Sequence, residues 1–353
     1  MKLKALSLFA NVGIGETYLK DLGIDVVVAN ELLENRAQIY QHFHQDATVI
    51  PGDITDKKVF DKIIKTAREK EINVIIATPP CQGMSIAGQM NEDDPRNTLI
   101  VKAMEALKRL KPDYMLIENV PQMLKTAILF EGKKINIQEF ISQQVSKDYY
   151  VKFDVFDASD FGTPQFRKRT IVRIYKKGLS WDDPEKQKAI TVRDVIGDLP
   201  SLKAGEASSI HPYHYAKKHN DNHILWMSHA PTGKTAFDNA DPFKPTKDGR
   251  VIKGFSTTYK RIEWDKPSPT VTMANGSISS QNNVHPGRQN ADGTYSDARV
   301  LTPLEVFRVM GLPDDWNPPK NLTENTLRHV IGEAVPPKMM RAMFEPLIKN
   351  LKK

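Results

Sequence analysis

The sequence predicts an α/β protein with a doubly wound, mostly parallel sheet and a second, smaller, loop-rich domain. Two observations lead to this fold class. In the first half of the 353 residues, short apolar runs alternate with longer helix-like stretches, which is typical of parallel strands joined by crossover helices. After about Lys177, long periodic segments become rare and turn residues frequent, until helical patterning resumes at Thr302.

Each strand is predicted from a short run rich in β-branched residues, and each helix from a longer stretch with apolar periodicity. The predicted strands are Leu3–Ala10, Asp25–Ala29, Thr48–Ile50, Asn73–Ala77, Tyr114–Ile117, Lys152–Phe156 and Thr170–Tyr175. The predicted helices are Glu16–Leu22, Glu34–Phe43, Asp56–Glu69, Thr98–Leu110, a stretch near Ile135–Val145, Thr302–Met310 and Pro337–Ile348.

The composition limits the classes of function open to the chain. A single cysteine, Cys81, excludes an internal disulfide and favours a reducing, cytoplasmic setting. The basic and apolar N-terminus fits a first strand better than a secretion signal, and no apolar run reaches the ~18 residues that a membrane span needs. The net charge of +7 permits a nucleic-acid partner without requiring one.

The cysteine occupies an informative position. Cys81 follows two prolines that end the predicted strand Asn73–Ala77, so we expect it just beyond the C-terminal end of a buried strand. Ligands and chemistry gather at that edge of open α/β sheets. A thiolate there is a candidate nucleophile, although a free cysteine is more often buried and inert.

Three successive strand ends predict a site for a nucleoside cofactor. The run Phe9–Gly15 ends a strand and turns through two glycines, Glu31 follows the second strand, and Asp53 follows the third. A glycine turn before a helix can cradle such a cofactor, and a carboxylate about 20 residues later can bind its ribose hydroxyls. Each feature alone is a common strand-end turn, but together they favour cofactor binding.

Charged side chains also follow later strands. Glu118 and Asn119 come after Tyr114–Ile117, where a buried carboxylate could protonate a substrate, or where the pair could simply cap the next helix. In the run from 165 to 169, alternation along a strand would place Gln165, Arg167 and Arg169 on one face. Arginines there could hold a carbonyl oxygen or a phosphate, or form a solvated basic turn.

These segments stand in the order expected of one family, and the sequence resembles the cytosine-C5 DNA methyltransferases over nearly all of the chain outside Leu179–Asp265. The resemblance is carried by Phe9–Gly15, Pro79–Gln82, Pro95–Leu99, Glu118–Val120, Gln165–Arg169, Lys266–Thr272 and Ile331–Pro337. It implies a Rossmann-like, S-adenosylmethionine-dependent methyltransferase fold. Residues 1–178 plus 330–353 would form the catalytic, cofactor-binding domain, and residues 179–329 a small domain whose variable target-recognition region is about 179–265.

The resemblance further implies a mechanism and its residues. Cys81 would add to C6 of a flipped-out cytosine, Glu118 would stabilise protonation at N3, and C5 would take the methyl group of S-adenosylmethionine. Arg169 would contact the cytosine O2, and Gln82–Arg96 would close over the base. The implied catalytic residues are Cys81, Gln82, Glu118, Asn119, Arg167 and Arg169. The implied cofactor-binding residues are Phe9, Ala10, Gly13, Gly15, Glu31, Asp53, Ile54, Pro79, Leu99, Glu333, Ala334 and Val335.

Double-stranded DNA is the implied substrate, and the insert Leu179–Asp265 its implied reader. The insert holds 13 basic and 12 acidic residues, so we expect specificity to come from base-edge contacts. The candidate DNA-binding residues are Ser85, Arg96, Gln165, Lys234, Arg250, Lys260 and Arg261. Five histidines also lie in the insert, but their spacing matches no strong ligand pattern, so no metal is predicted.

By analogy with prokaryotic modification enzymes, we expect a monomer that protects DNA from a cognate restriction endonuclease. A related tRNA methyltransferase is disfavoured, because those relatives carry Cys-Phe-Thr where this chain has Pro121-Gln122-Met123. A non-catalytic nucleic-acid-binding scaffold is disfavoured by the intact Cys81, Glu118 and Arg169. A nicotinamide oxidoreductase is disfavoured because the three-glycine fingerprint is absent.

Overall fold

The structure is a computed structural model that describes residues 2–80 and 95–352. The strands within these residues are β1 (Leu3–Leu8), β2 (Ile24–Glu31), β3 (Thr48–Pro51), β4 (Val74–Ala77), β5 (Tyr114–Asn119), β6 (Ala127–Phe130), β7 (Lys133–Asn136), β8 (Tyr149–Asp157), β9 (Lys168–Lys176), β10 (Thr246–Lys247) and β11 (Arg250–Val251). The helices are α1 (Glu34–Phe43), α2 (Lys57–Glu69), α3 (Leu99–Leu110), α4 (Ile137–Gln144), α5 (Val192–Ile196), α6 (Asp221–Ser228), α7 (Pro303–Met310), α8 (Glu324–Glu333) and α9 (Pro337–Leu351).

Seven of these strands form one sheet in the order β3-β2-β1-β4-β5-β9-β8. The first five are parallel, whereas β9 runs antiparallel to β5 and β8 antiparallel to β9. The predicted doubly wound, mostly parallel sheet is therefore confirmed. The strand order reverses between β1 and β4, and the C-terminal side of such a switch point is where open α/β sheets bind ligands.

Helices cover both faces of the sheet, as adjacent residues of β2 show. Val28 belongs to the apolar cluster that α2 and α3 share with the strands, whereas Ala29 belongs to a second cluster with Tyr40 of α1. Successive side chains of a strand point to opposite faces, so the two clusters lie on opposite sides. All residues of β4 and β5 are buried, as expected for central parallel strands.

Local sequence signals explain where several helices begin. Asp56 caps α2 by accepting hydrogen bonds from the backbone N–H groups of Lys58 and Val59. Thr302 and Glu305 form a reciprocal capping box at the start of α7. The predicted bounds of α2 and α7, and those of α1 and α3, which have no capping side chain, agree with the structure to within one residue.

The predicted helix Glu16–Leu22 is wrong. The chain instead forms two short 3₁₀ turns, Ile14–Glu16 and Lys20–Leu22, closed by i→i+3 hydrogen bonds. Left-handed glycines at Gly13 and Gly23 flank the segment, and the stretch between them is too short to offset the cost of α-helix nucleation. The predicted helix near Ile135–Val145 begins two residues late, because β7 occupies its start.

The chain divides into two compact units. The first comprises residues 1–157, 168–186 and 339–353, and contains the seven-stranded sheet. The second comprises residues 158–167 and 187–338, and has its own small core that includes Trp226, Met227, Tyr259 and Val284. The predicted domain boundaries at residues 178 and 330 stay a prediction. In the described part of the chain, no helix has both the length and the apolar character to cross a membrane.

Candidate active site

The loop after β1 is held in an unusual backbone conformation. Phe9, Asn11 and Gly13 all have positive φ angles, at 60°, 49° and 78°. A Cβ at Gly13 would lie 2.3 Å from His44 Nε2 and 2.9 Å from Tyr40 Cε2, so only glycine fits there. His44 Nε2 also lies 3.0 Å from the Gly13 carbonyl oxygen. The loop therefore follows a fixed path against α1 and its C-terminus.

A buried carboxylate ties this loop to the sheet and to α1. Glu16 accepts hydrogen bonds from the hydroxyls of Ser7 in β1 and Tyr40 in α1. Burial, together with the charge and hydrogen bond of Glu16, holds the pKa of Tyr40 well above its usual range. The sequence analysis missed this network, because Glu16 looked like an ordinary acidic residue at a helix start.

Glu31, the predicted ribose-binding carboxylate, lies buried at the end of β2 beside the same loop. Its Oε2 accepts from the backbone N–H of Asn11 at 2.9 Å and its Oε1 from that of Leu33 at 3.1 Å. The backbone N–H of Ala10 donates to the Asn30 carbonyl. Each carboxylate oxygen can accept more than one hydrogen bond, so Glu31 retains capacity for a ligand hydroxyl.

The end of β3 presents a different surface. Asp53 is exposed, and its Oδ1 accepts from both the backbone N–H and the hydroxyl of Thr55 at 2.8 Å. The side chain of Ile54 is buried in the main apolar cluster. A cofactor at this position could therefore meet the Asp53 carboxylate and the backbone, but not the Ile54 side chain.

Side-chain hydrogen bonds join the ends of β1, β4 and β5. The Thr78 hydroxyl donates to the Phe9 carbonyl at 3.0 Å. Asn119 Nδ2 donates to the Pro79 carbonyl at 3.0 Å, and its Oδ1 accepts from the Val120 N–H at 2.8 Å. Asn119 thus positions the segment that runs toward Cys81.

Glu118 and Arg169 meet at the end of β5. Arg169 Nε lies 2.7 Å from Glu118 Oε1, and the two side chains are 13% and 8% exposed. A charge-assisted hydrogen bond of this length fixes the positions of both side chains. Of the predicted catalytic residues within the described part of the chain, these are the two that the structure brings into direct contact.

The predicted site residues between β4 and α3 are described only in part. Cys81, Gln82 and Ser85, with most of the predicted closing segment Gln82–Arg96, lie outside the described residues. Arg96 is exposed just before α3, and Leu99 is half-buried at its first residue.

The prediction that Gln165, Arg167 and Arg169 share one strand face is wrong, because β9 begins only at Lys168. Arg167 is buried in the second unit, where its guanidinium donates to the carbonyls of Val271 and Gly332 at 2.9 and 2.8 Å.

Gln165 is fully buried in the same unit and cannot contact DNA in this conformation. Its Oε1 accepts from the Val271 N–H at 2.9 Å. Together with Arg167, it holds the segment Lys266–Thr272, which is one of the sequence motifs named above.

Arg261 is also misassigned as a DNA contact. It is fully buried, and its guanidinium donates to the carbonyls of Met227, His285 and Asp297. Burial lowers its pKa to about 9. Lys234 and Arg250 are exposed and Lys260 is half-buried, so all three remain candidates.

The last predicted cofactor motif lies at the C-terminus of α8 in the second unit. Ala334 and Val335 are each 8% exposed, and Glu333 Oε1 lies 3.2 Å from His329 Nε2. A Cβ at the neighbouring Gly332 would come within 2.5 Å of the backbone of Thr272 and Met273, so α8 approaches that segment closely.

A second buried ionic cluster, which the sequence analysis also missed, lies in the second unit. Arg299 pairs with Asp297 at 2.7 Å and with Glu305 at 2.8 Å, and His285 Nε2 lies 3.6 Å from Glu305. Burial alone would raise the pKa of Glu305, but Arg299 and His285 lower it to about 2. Burial lowers the pKa of His285 to about 4. The capping-box spacing of Thr302 and Glu305 was a visible signal for part of this cluster.

The histidines of the insert have structural partners. His214 is buried between the Thr302 hydroxyl and the Pro200 carbonyl, and His219 Nε2 accepts from the Val300 N–H. Over residues 2–80 and 95–352, no group of three or more His, Cys, Asp or Glu residues could hold a metal ion.

With the site geometry established, comparisons with known proteins give the family. The model of the family described as C-5 cytosine-specific DNA methylase matches residues 3–349. The chain belongs to this family. The resemblance stated from the sequence motifs is therefore confirmed, and this methylase acts as a DNA (cytosine-5-)-methyltransferase.

Two curated relatives of the methylase are named as Type II methyltransferases. M1.HgaI from Avibacterium volantium is 45% identical over 340 residues, which cover 95% of both chains. M1.HphI from Haemophilus parahaemolyticus is 29% identical over 356 residues, which cover 99% of this chain and 87% of the relative.

Solved structures agree with the methylase in fold. A prophage-encoded protein from E. coli has a TM-score of 0.72 at 21% identity, covering 99% of this chain and 100% of the other. A mutant of DNMT2 from Spodoptera frugiperda has a TM-score of 0.63 at 16% identity, covering 98% and 99%. At these identities the likeness concerns the fold alone.

Proposed function

We propose that this methylase transfers the methyl group of S-adenosylmethionine to C5 of a flipped-out cytosine in a short, specific duplex sequence. The Glu118–Arg169 pair carries the proposal: it lies at the end of β5, beside β4, and β4 leads into Cys81. A buried carboxylate held by an arginine, on a strand beside the one that precedes the candidate nucleophile in the sequence, supports activation of a pyrimidine ring.

The loops at the switch point fit the cofactor. The left-handed backbone at Phe9, Asn11 and Gly13 turns the chain beside Glu31, which can accept a ribose hydroxyl, and Asp53 is open to an adenine edge. S-adenosylmethionine supplies an activated methyl group when it binds there. We assign Pro79 and Leu99, which belong to the same unit, as further contacts, whereas the assignment of Glu333, Ala334 and Val335 stays a prediction from the sequence motif.

The chain's own residues perform the remaining chemistry. The Cys81 thiolate would add to C6 while Glu118, in its acid form, would give a proton to N3, so that the electron pair of the C5–C6 double bond becomes available at C5. C5 would take the methyl group of S-adenosylmethionine, which leaves as S-adenosylhomocysteine. A base would then take the C5 proton, N3 would return its proton to Glu118, and the bond between C6 and the Cys81 sulfur would break, which restores the aromatic ring and the free thiolate. Arg169 holds Glu118 and reaches the cytosine O2, while Asn119 fixes the Pro79 carbonyl and with it the approach to Cys81.

Arg167 has a positioning role in this scheme. Its guanidinium binds two carbonyls, so we assign it a positioning role and no contact with the base. We assign target recognition to residues 179–265. We also propose that the enzyme protects DNA from a cognate restriction endonuclease, a role that fits the Type II names of its relatives. We propose in addition that it works as a monomer.

Genome-wide mapping of 5-methylcytosine tests the proposed function. The chain is expressed in a bacterium that lacks DNA methylation, and 5-methylcytosine is read at single-base resolution. Dense modification at one short motif is expected, and Cys81→Ala should abolish it while the purified variant still binds DNA. Methylation by Cys81→Ala would exclude the covalent mechanism. A folded wild-type protein that leaves DNA unmodified would overturn the proposal and direct attention to RNA.

A further inference from the structure

One surface segment of the second unit combines positive charge with exposed apolar side chains. Residues 244–260 contain five basic residues and one acidic residue, Asp248, whereas residues 179–265 as a whole are nearly neutral. The basic residues are Lys244, Lys247, Arg250, Lys253 and Lys260. Most of this charge is exposed, around the short β10–β11 hairpin.

Phe255 projects from this surface. Its side chain is 76% exposed, and the nearby Val251 is 53% exposed. A single exposed apolar residue is ordinary, but an aromatic ring beside a concentrated positive charge has the composition of a nucleic-acid contact.

The backbone under Phe255 is constrained. Its carbonyl accepts hydrogen bonds from both the backbone N–H and the hydroxyl of Thr258, each at 2.9 Å. A Cβ at Gly254 would lie 2.3 Å from Phe237 Cζ, so the chain passes directly over that ring. Phe237 packs edge-on against Tyr259, which belongs to the core of the unit. The exposed ring is therefore presented from an anchored turn, which lowers the entropic cost of binding.

We propose that residues 244–260 contact the substrate DNA, with Phe255 against the base edges and Lys247, Arg250 and Lys253 at the phosphates. The positive charge complements the phosphate backbone, and an apolar ring can contact thymine methyl groups or wedge against a base step. The inference rests on the proposed function, since it names the surface through which the methylase reads its substrate.

A matched pair of alanine variants tests the aromatic contact. Phe255→Ala is compared with Leu129→Ala, because Leu129 is also a strongly exposed apolar side chain, at 68%, and lies outside residues 179–265. Binding is measured on a duplex that carries the methylated motif, or on mixed genomic fragments if no motif is found. Phe255→Ala should lower affinity about tenfold or more, the scale of one lost base–aromatic contact, and Leu129→Ala should leave it within about twofold.

Salt dependence separates the two kinds of contact. Lys253→Gln should lower the slope of log affinity against log salt by about one, whereas Phe255→Ala should weaken binding without changing the slope. Unchanged affinity and an unchanged methylation pattern in Phe255→Ala would overturn the inference. A change of oligomeric state in that variant would also overturn it, because the surface would then bind a second copy.

Failure of the inference can be told apart from failure of the proposed function. If the wild-type protein methylates DNA, and Phe255→Ala binds DNA with the same affinity and methylates the same motif, only the assignment of this surface is wrong. If the wild-type protein modifies no DNA, the proposed function is wrong, whatever the variant does. Circular dichroism and thermal unfolding should be the same for both alanine variants and the wild type, since both side chains are exposed.

Discussion

The ion pair at the end of β5 and the ionic cluster of the second unit are both buried, but they differ in what surrounds them. Arg299 is fully enclosed and divides its donors between two carboxylates and the carbonyls of Leu202 and Val300. Arg169 keeps 13% of its side chain exposed and lies at a strand end beside Glu118. An enclosed charge with a full set of partners stabilises a fold, whereas a charge at an open edge can also meet a substrate. Substitutions in the two places should therefore have different consequences.

Glu118→Gln should give the largest effect on catalysis. The amide keeps the shape but cannot serve as the acid, so the rate of methyl transfer should fall about 10²- to 10⁴-fold. Single-turnover methylation measures the rate, and denaturant unfolding should show little change in stability. Glu305→Gln is the reciprocal variant, since it should lower stability and leave the rate per folded molecule nearly unchanged. If both variants lost the same amount of rate and of stability, the two buried ionic sites would not differ in function.

Arg299→Met should give the largest effect on stability. Removing this guanidinium leaves Asp297 and Glu305 buried without their partner, which costs about 3–5 kcal/mol of unfolding free energy. Arg308→Met is the matched control, because Arg308 also bridges two carboxylates, Asp198 and Asp314, but these are 65% and 56% exposed. The control should lose about 1 kcal/mol or less. Equal losses in urea unfolding would show that enclosure does not matter here.

Gly13→Ala tests whether the cofactor edge depends on its fixed backbone. The added Cβ meets His44 and Tyr40 at a positive φ, so affinity for S-adenosylmethionine should fall about tenfold or more, as calorimetry would measure. Gly23→Ala has nearly the same φ of 79° with open space around it, and so carries the backbone strain without the clash. If both variants bound S-adenosylmethionine with equal affinity, the backbone conformation at Gly13 would not matter for cofactor binding.

The ionic cluster should also make stability fall in acid. The pKa of His285 is lowered to about 4 in the folded state, so the unfolded chain binds more protons between pH 6.5 and 4. The unfolding free energy should therefore decrease by about 3 kcal/mol over that interval, and the lowered pKa of Glu305 extends the loss below pH 4.5.

The variant His285→Gln should reduce the slope of unfolding free energy against pH between 6.5 and 4, since glutamine does not titrate there. A wild-type stability that stays constant from pH 7 to 5 would contradict the lowered pKa of His285.

The alternation of β1 to β5 with α1 to α3, and the family, could be predicted from the sequence, because apolar periodicity, capping residues and short motifs are local signals. The lengths of the apolar runs also determined that Glu31, Asp53 and Glu118 lie at or just beyond strand ends. The same kind of signal predicted an α-helix at Glu16–Leu22. Two 3₁₀ turns form there instead, because the segment is short and is flanked by glycines.

The sequence does not show which polar side chains have structural partners and which lie at the open edge, because this depends on how distant segments pack. Arg167 and Arg169 look alike in sequence, yet Arg167 is buried on a carbonyl 165 residues away, whereas Arg169 pairs with Glu118 at a strand end. Arg261 and Glu16 likewise take roles that their neighbours in sequence do not indicate. The physical reason is that a buried polar group must find hydrogen-bond partners, and those partners are brought close only when distant segments of the chain pack together.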